Sequence, residues 1–274
     1  MTKLCAVAVL VALLLCSCAG GPAPPQKGTP AFYWTAAMET FKTSDFIKTS
    51  EHLEQLTKTQ GEFTARALPW EITLDAGLAG AYIELADSYD GGSRANSENP
   101  APYRKQMNYY RSLANRKVLD IAQTVKRFQA TQDAKVSLVF PIPAGSAGEL
   151  AALTKISKGI TPAPAESVDL ERRTLERNIL LAQARVTGAG DNVAKLREMF
   201  TGAPVEVPRE TFLLAVAKFL YDGSQIYTAK KLAQPDRIKL LCENASEILK
   251  PLPDSKDKKE LEKKIQAALK TVKG

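Results

Sequence analysis

The chain has 274 residues, of which 45% are hydrophobic and 24% charged, and its formal net charge at pH 7 is +7. This composition is normal for a globular body, and the length allows one large domain or two small ones with a sizeable core. The segment 255–274 holds seven lysines against three acidic residues, a net +4. The rest is therefore nearly neutral, which argues against nucleic acid as a partner, because that would need a basic face on the body.

The first twenty residues have the composition of an export signal. They read MTKLCAVAVLVALLLCSCAG, in which Lys3 is the only charge and twelve apolar residues follow it. This run is too short to span a bilayer, which takes about 20 residues. A basic start, a short apolar run and small residues at the end are typical of a secretory signal. We therefore expect residues 1–17 to be a signal peptide.

The end of this signal, Leu15-Cys16-Ser17-Cys18, resembles the bacterial lipobox. The resemblance implies cleavage before Cys18 and a diacylglycerol on Cys18, which would anchor the chain to a membrane. The alternative is an ordinary signal with incidental cysteines. Residues 18–30 include GPAPPQKGTP, whose prolines and glycines predict a tether rather than a helix or strand. No Asp follows Cys18 directly, which by analogy with enteric bacteria indicates the outer membrane, facing the periplasm.

Helical patterns dominate from residue 31 onwards. Aromatic residues cluster at 32–41, and Thr43-Ser44-Asp45 offers an N-cap for a helix that reaches about residue 59. The strongest pattern covers 68–89, with Pro69 in its first turn and Gly91-Gly92 as its end. Gly77 within it would let another helix approach closely. A further long helix covers 102–131.

The second half of the chain also reads as helical. Residues 136–140 (VSLVF) predict at most a short extended segment, closed by Pro141. A capping-box pattern from Ser146 to Glu149 predicts a helix that ends near residue 158. The remaining helices are predicted over 167–187, 192–200, 208–221, 225–232, 236–250 and 257–273. About ten helices with short connections predict an all-α fold of stacked antiparallel helix pairs. The helical domain covers 31–250, with possible halves 31–133 and 145–250, and a basic amphipathic helix follows within 251–274.

Two segments suggest an internal repeat. In each, an apolar helix runs into Tyr-Asp-Gly, at 89–91 and at 221–223, and a Pro-led helix follows. The alternative is that Tyr-Asp-Gly is simply a common helix ending. The first helix pair resembles a tetratricopeptide unit through Trp70, Leu78, Gly80 and Tyr82. Its layout over 71–128 is also similar to the helical T component of tripartite periplasmic transporters. These resemblances imply an α-solenoid architecture and supply no ligand residue.

The sequence offers little catalytic chemistry. His52 is the only histidine, and Cys242 is the only cysteine left beyond the signal and Cys18. A zinc site or a nucleophile–histidine pair is therefore improbable. His52 reads as a solvated helix residue and Cys242 as a buried small hydrophobe. We expect no enzyme activity, no metal and no cofactor.

Two patches are candidates for binding. The first is an aromatic and basic face formed by Tyr103, Arg104, Tyr110 and Arg111, which could recognise an acidic ligand or partner. The alternative is core tyrosines beside a solvated basic face. The second patch is the tail helix, whose apolar stripe is Leu261, Ile265, Leu269 and Val272. Such a helix either closes the end of a helical stack or lies on anionic lipid.

These observations leave three hypotheses for function. The first is a membrane-anchored periplasmic scaffold that binds a protein or peptide partner in the cell envelope, which a surface groove would favour. The second is a binding protein for a small apolar or lipidic ligand that serves an envelope transporter, with a cavity between helices 78–89 and 212–221. The third is an enzyme, which a buried cluster of carboxylates with raised pKa values would favour.

Overall fold

The fold is described from a computed structural model, in which residues 25–58, 60–146 and 148–272 are placed. The expected signal peptide, Cys18 and most of the tether lie outside these residues. The described part contains ten α-helices, one 3-10 helix and one sheet of two antiparallel strands. The predicted all-α fold of packed helix pairs is therefore confirmed. None of the described helices has the length and apolarity to span a membrane.

The helices are α1 (Pro30–Lys42), α2 (Phe46–Thr57), α3 (Thr64–Ala95), α4 (Ala101–Gln129), α5 (Ala151–Ser157), α6 (Pro164–Val186), α7 (Val193–Met199), α8 (Arg209–Ser224), α9 (Pro235–Leu249) and α10 (Lys256–Val272). Strand β1 (Lys135–Leu138) lies between α4 and α5, and strand β2 (Val205–Pro208) lies between α7 and α8. The 3-10 helix Gln225–Tyr227 follows α8.

The centre of the fold is α3, which has 32 residues and contacts α2, α4, α5, α6, α8 and β1. Residues 67–79 of this helix are all buried. A helix that is buried on every side needs neighbours on every side, and the other elements of the chain provide them. One hydrophobic cluster extends from Ala37 to Ile265 and includes residues of both predicted halves.

Glycines let other helices approach the α3–α4 pair closely. A Cβ added to Gly77 would lie 2.6 Å from the Cα of Ile179 on α6, and one added to Gly223 would lie 2.9 Å from a methyl of Val118 on α4. The close approach expected at Gly77 is therefore present. Gly92 has the same role, because its added Cβ would lie 2.4 Å from the carbonyl oxygen of Ile156.

Several predicted boundaries were wrong for physical reasons. Helix α3 begins at Thr64, so Pro69 lies inside it and not in its first turn. Proline has no amide hydrogen to donate to the carbonyl of Ala65, but Ala65 is exposed, so water can bind that carbonyl. The helix also continues past Gly91-Gly92 to Ala95, because Gly92 serves the contact with Ile156 and not a helix end.

The elements after α4 and after α8 also differ from the prediction. The pattern at Ser146 does not cap a helix, since α5 begins at Ala151 with Leu150 at its N-cap. The predicted helix at 225–232 is only one 3-10 turn, because the backbone becomes extended at Thr228 (ψ 159°). Asp45 does cap α2, and its carboxylate accepts a hydrogen bond from the Lys48 amide at 3.2 Å.

The small sheet was only half predicted. Strand β1 overlaps the predicted extended segment 136–140 at residues 136–138, but no strand was predicted at β2. The register pairs Leu138 with Val205 and Lys135 with Pro208. The buried side chains of the sheet are Val136, Leu138, Val205 and Val207. In β2 the alternation covers only four residues, which is too short a signal to separate from a loop.

Replacing Gly77 with Ala tests the close packing of α3 against α6. Because the new methyl would collide with backbone atoms of Ile179, we expect Gly77→Ala to lower the free energy of unfolding by about 1–3 kcal/mol. The measurement is urea unfolding followed by circular dichroism. Gly61→Ala is the control, since no atom lies within 4 Å of its added Cβ. Equal stability of the two variants would contradict the close contact.

Candidate functional site

The four residues predicted to form an aromatic and basic face do not share an exposed surface. Tyr103 and Tyr110 are buried, and their hydroxyls donate to the Gly159 carbonyl (2.5 Å) and to the Glu171 carboxylate (3.0 Å). Arg104 is exposed. Arg111 is buried 3.8 Å from Asp90, and its Nε and Nη2 have no hydrogen-bond partner among the described residues. The tyrosines therefore serve the core in this structure.

The helical period explains this arrangement. Tyr103 and Tyr110 are seven residues apart on α4, so they lie on the same face as Met107 and Ala114, which are also buried. The Tyr110 ring stacks on Tyr82 and Tyr89 of α3, with centroid distances of 6.2 and 5.8 Å. The neighbouring Tyr109 points away from this face and is 52% exposed.

A surface groove of about 660 Å³ lies between α6, α8 and α10. Its walls are the C-terminal end of α6 with the following turn, the outer face of α8 and the first turns of α10. The apolar residues that line it are Leu214, Ala215, Tyr221 and Leu261. The polar and charged residues around them are Arg185, Asp191, Thr211, Lys218, Asp222, Asp257, Glu260 and Lys264. A groove of this size accommodates several side chains of a partner.

The charges of the groove are largely paired within the protein. The three ion pairs, each with an N–O distance of 2.7 Å, are Arg185–Asp191, Lys218–Asp222 and Lys264–Glu260. Asp257 in the first turn of α10 is exposed and has no ion pair among the described residues. The groove therefore carries four carboxylates against three cations, with Asp257 as the unpaired group.

The ion pairs also shift the pKa values of their members. The hydrogen bond from Lys264 and its positive charge lower the pKa of Glu260, and the same contact raises the pKa of Lys264. Burial raises the pKa of the Tyr221 hydroxyl, and the nearby Asp222 charge adds to this effect. These shifts keep the carboxylate and the ammonium charged and the phenol neutral near neutral pH.

A second, smaller groove lies between α5 and the N-terminal half of α6. It measures about 440 Å³, and Leu150 and Leu170 are its buried apolar residues. Ile160 at its edge is 55% exposed. Its charged residues, Glu149, Lys155, Glu166, Asp169 and Arg173, are of mixed sign.

The region predicted to hold an apolar ligand has little free space. Between the C-terminal half of α3 and α8 there is a cavity of about 80 Å³, lined in part by Ile83, Ile121 and Phe219. Sites for small ligands usually measure roughly 300–1,000 Å³. The packing of Gly223 against Val118 is one reason that this space is closed.

The described residues contain no group of three His, Cys, Asp or Glu side chains that could hold a metal ion. His52 is half-buried, with its ring 6.1 Å from that of Tyr33. Cys242 is fully buried, and this burial raises the pKa of its thiol. Its sulfur lies 3.7 Å from the Ser224 hydroxyl, so it packs as a small core side chain.

Among the described residues the two most deeply buried carboxylates are Glu71 and Asp75 of α3. Burial raises the pKa of both, that of Glu71 from 4.5 to about 7. Raised carboxyl pKa values are a mark of catalytic sites, but they also occur in structural ion networks. The free space beside these groups is about 20 Å³. That volume holds about one water molecule and no substrate.

The chain matches no protein-family model, no curated protein and no solved structure. The functional assignment therefore depends on the groove and on the sequence signals.

Sequence reasoning found part of the groove and missed its location. It identified the apolar stripe of α10, to which Leu261 belongs. It did not bring Leu214 or Asp191 beside that stripe, because these residues are 47 and 70 positions away from Leu261 in the chain. No local pattern encodes such a contact, which arises only when α6, α8 and α10 pack together.

Two conservative variants test whether the tyrosines of α4 are structural. Tyr110→Phe removes the hydrogen bond to Glu171, and we expect a loss of about 1 kcal/mol in the free energy of unfolding. Tyr109→Phe, the control on the exposed side, should change it by less than about 0.5 kcal/mol. Thermal or urea unfolding measures both. A larger loss for Tyr109→Phe than for Tyr110→Phe would contradict the buried role of Tyr110.

Proposed function

We propose that the protein is a lipid-anchored helical scaffold of the bacterial cell envelope, which binds a segment of a protein or peptide partner in the groove between α6, α8 and α10. The proposed anchor is a diacylglycerol on Cys18, with the body facing the periplasm from the outer membrane. The lipobox-like sequence and the Pro- and Gly-rich segment that follows Cys18 support this part of the proposal. The scaffold performs no catalysis.

The groove is the observation on which the binding role depends. Its apolar base, formed by Leu214, Ala215 and Leu261, is surrounded by charged side chains. Protein interfaces have the same organisation, an apolar centre within a polar rim. An amphipathic segment would place its apolar side chains on Leu214 and Leu261 and its polar side chains along the rim.

The charge of the groove indicates the kind of partner. All three cations of the rim already pair with a carboxylate. Asp257, in contrast, pairs with no cation among the described residues. The C-terminal ends of α6 and α8, which carry partial negative charge, also border the groove, as does the N-terminal end of α10, which carries partial positive charge. We therefore propose that the bound segment carries a Lys or Arg that pairs with Asp257.

The alternative, a carrier of a small apolar or lipidic ligand, has less support. It requires an enclosed apolar cavity, and the space at the predicted position is about 80 Å³. An acyl chain or a drug-sized molecule needs several times that volume. The open groove with its charged rim fits a polypeptide better than a lipid.

The proposed anchor is tested by labelling with radioactive palmitate in a bacterial host. We expect label in the wild type and none in Cys18→Ala, and we expect only the wild type to fractionate with membranes. The reason is that one cysteine at the cleavage site receives the lipid in lipoproteins. Cys16→Ala is the control and should keep the label. A soluble, unlabelled wild type would refute the anchor and leave the groove proposal to be judged separately.

The proposed binding role is tested by crosslinking in cells. A photo-crosslinking amino acid at Leu214 should capture a distinct envelope protein, because this position lines the groove. The same amino acid at Leu240, which is 39% exposed on α9 and does not line the groove, is the control. Adducts of equal yield and identity at both positions, or none at Leu214, would refute the groove as the binding site.

The charge of the partner is tested by a matched pair of reversals in the Leu214 crosslinking background. Asp257→Lys should lower the adduct yield about tenfold, because it removes the pairing with a cationic side chain. Asp236→Lys is the control, since Asp236 is also an exposed acidic residue in a first helical turn, that of α9. An unchanged yield for Asp257→Lys would show that the groove binds without this ion pair.

A further inference from the structure

The contact of α2 with α3 and α4 contains two similar polar clusters inside the core. In the first, the hydroxyl of Ser50 on α2 donates to Asp75 of α3 at 2.7 Å and accepts from Lys117 of α4 at 2.7 Å. In the second, the hydroxyl of Thr57 on α2 contacts Glu71 of α3 at 2.5 Å and accepts from Arg127 of α4 at 2.9 Å. Each cluster joins all three helices through one hydroxyl, one carboxylate and one cation.

The two carboxylates differ in the cation that supports them. The Lys117 ammonium contacts Asp75 at 3.0 Å and Asp120 at 3.2 Å, and its third hydrogen goes to Ser50. Its three hydrogens are thus all used, and none is left for Glu71. The nearest cation to Glu71 is Arg127 at 3.5 Å, with a side chain that is 35% exposed and therefore partly screened by water.

The hydroxyls around Glu71 can serve either protonation state. The Thr57 hydroxyl can donate to an ionised Glu71, or it can accept from a protonated Glu71 and donate to the Glu54 carbonyl at 3.3 Å. The Thr124 hydroxyl donates to the other carboxyl oxygen at 3.1 Å and accepts from Arg127. A proton can therefore be gained or lost at Glu71 without a buried polar group being left unpaired.

We propose that Glu71 carries a proton when α2 is seated on α3 and α4, and that the seating of α2 weakens as the pH rises towards neutral, because the open form gives up this proton more readily than the closed form. The charged groups around it are Asp75 on the same helix, Glu54 on α2, and Lys117, Asp120 and Arg127 on α4. The Lys117 ammonium, 3.0 Å from Asp75, stabilises a negative charge on Asp75, and that charge disfavours a second one at Glu71. The contact of α2 with α3 and α4 would thereby make the attachment of the N-terminal hairpin α1–α2 depend on the pH of the surrounding solution.

The direction of the effect follows from the pKa of Glu71. Burial raises this pKa to about 7, whereas exposure to water on opening returns it towards 4.5. Between these values the closed form binds a proton that the open form releases, so opening becomes easier as the pH rises. Above about pH 7 both forms are ionised and the dependence ends.

Hydrogen exchange of the α2 backbone amides measures this opening. From about pH 5.5 to about pH 8.5 the opening constant of the wild type, corrected for intrinsic exchange, should rise about 30-fold. Glu71→Gln has the shape of the protonated side chain and no titration, so its opening constant should stay constant over that range. Glu54→Gln, at the exposed edge of the same cluster, is the control and should keep the wild-type dependence.

Infrared spectroscopy supplies a second measurement that does not depend on opening. A band of a protonated carboxyl should be present in the wild type at about pH 6, disappear at about pH 8.5, and be absent from Glu71→Gln at both values. A Glu71→Gln variant with the wild-type pH dependence of exchange would overturn the inference. So would a wild type without the protonated band at about pH 6. Neither measurement involves the proposed anchor or the groove.

Discussion

The structure depends on the burial of the central part of α3, residues 67–79, on every side. A helix surrounded on all sides cannot turn a charged face towards water, so the requirements of Glu71 and Asp75 must be met inside the protein. They are met by hydroxyls of α2 and cations of α4, which fixes the position of both helices relative to α3. Apolar packing alone tolerates some sliding of one helix along another. Two polar clusters at separate levels of α2 do not, because a shift would leave a buried carboxylate without its partners.

On the sides of α3 that face α5 and α6, close packing at glycines fixes the positions of the neighbouring helices. Gly77 brings the α6 backbone close, and Gly92 does the same for the end of α5. Charge on one side and glycine on the other have the same consequence, since each admits only one arrangement of the neighbouring helix. The possible halves 31–133 and 145–250 share one hydrophobic core, because the central helix α3 contacts elements from both.

The sequence predicted the helices well and their ends less well. Periodic apolar residues identify a helix through local chemistry. The triplet Thr43-Ser44-Asp45 indicates an N-cap by the same means, and Asp45 provides it. The Gly91-Gly92 pair does not end the helix as predicted, because the contact that requires glycine there comes from Ile156, more than sixty residues away. Strand β2 was missed because its pairing with β1 crosses three helices. The basic and aromatic pattern of α4 left two interpretations open, because spacing alone does not show whether Tyr110 faces the core or the solvent, and the burial of Tyr110 agrees with the core interpretation.

The candidate site differs from the core in the way its charges are arranged, and this difference supports a binding role for the groove. In the core, a carboxylate whose cation is partly exposed to water, as Arg127 beside Glu71 is, becomes neutral by taking up a proton, as inferred above. At the surface no such need exists, because Asp257 is exposed and water solvates it in place of a protein partner. Covering the groove with an apolar segment would remove that water, so a partner that covers Asp257 must bring a positive charge of its own. The groove would thus select its ligand by the unpaired carboxylate more than by its apolar base, which would accept many hydrophobic segments.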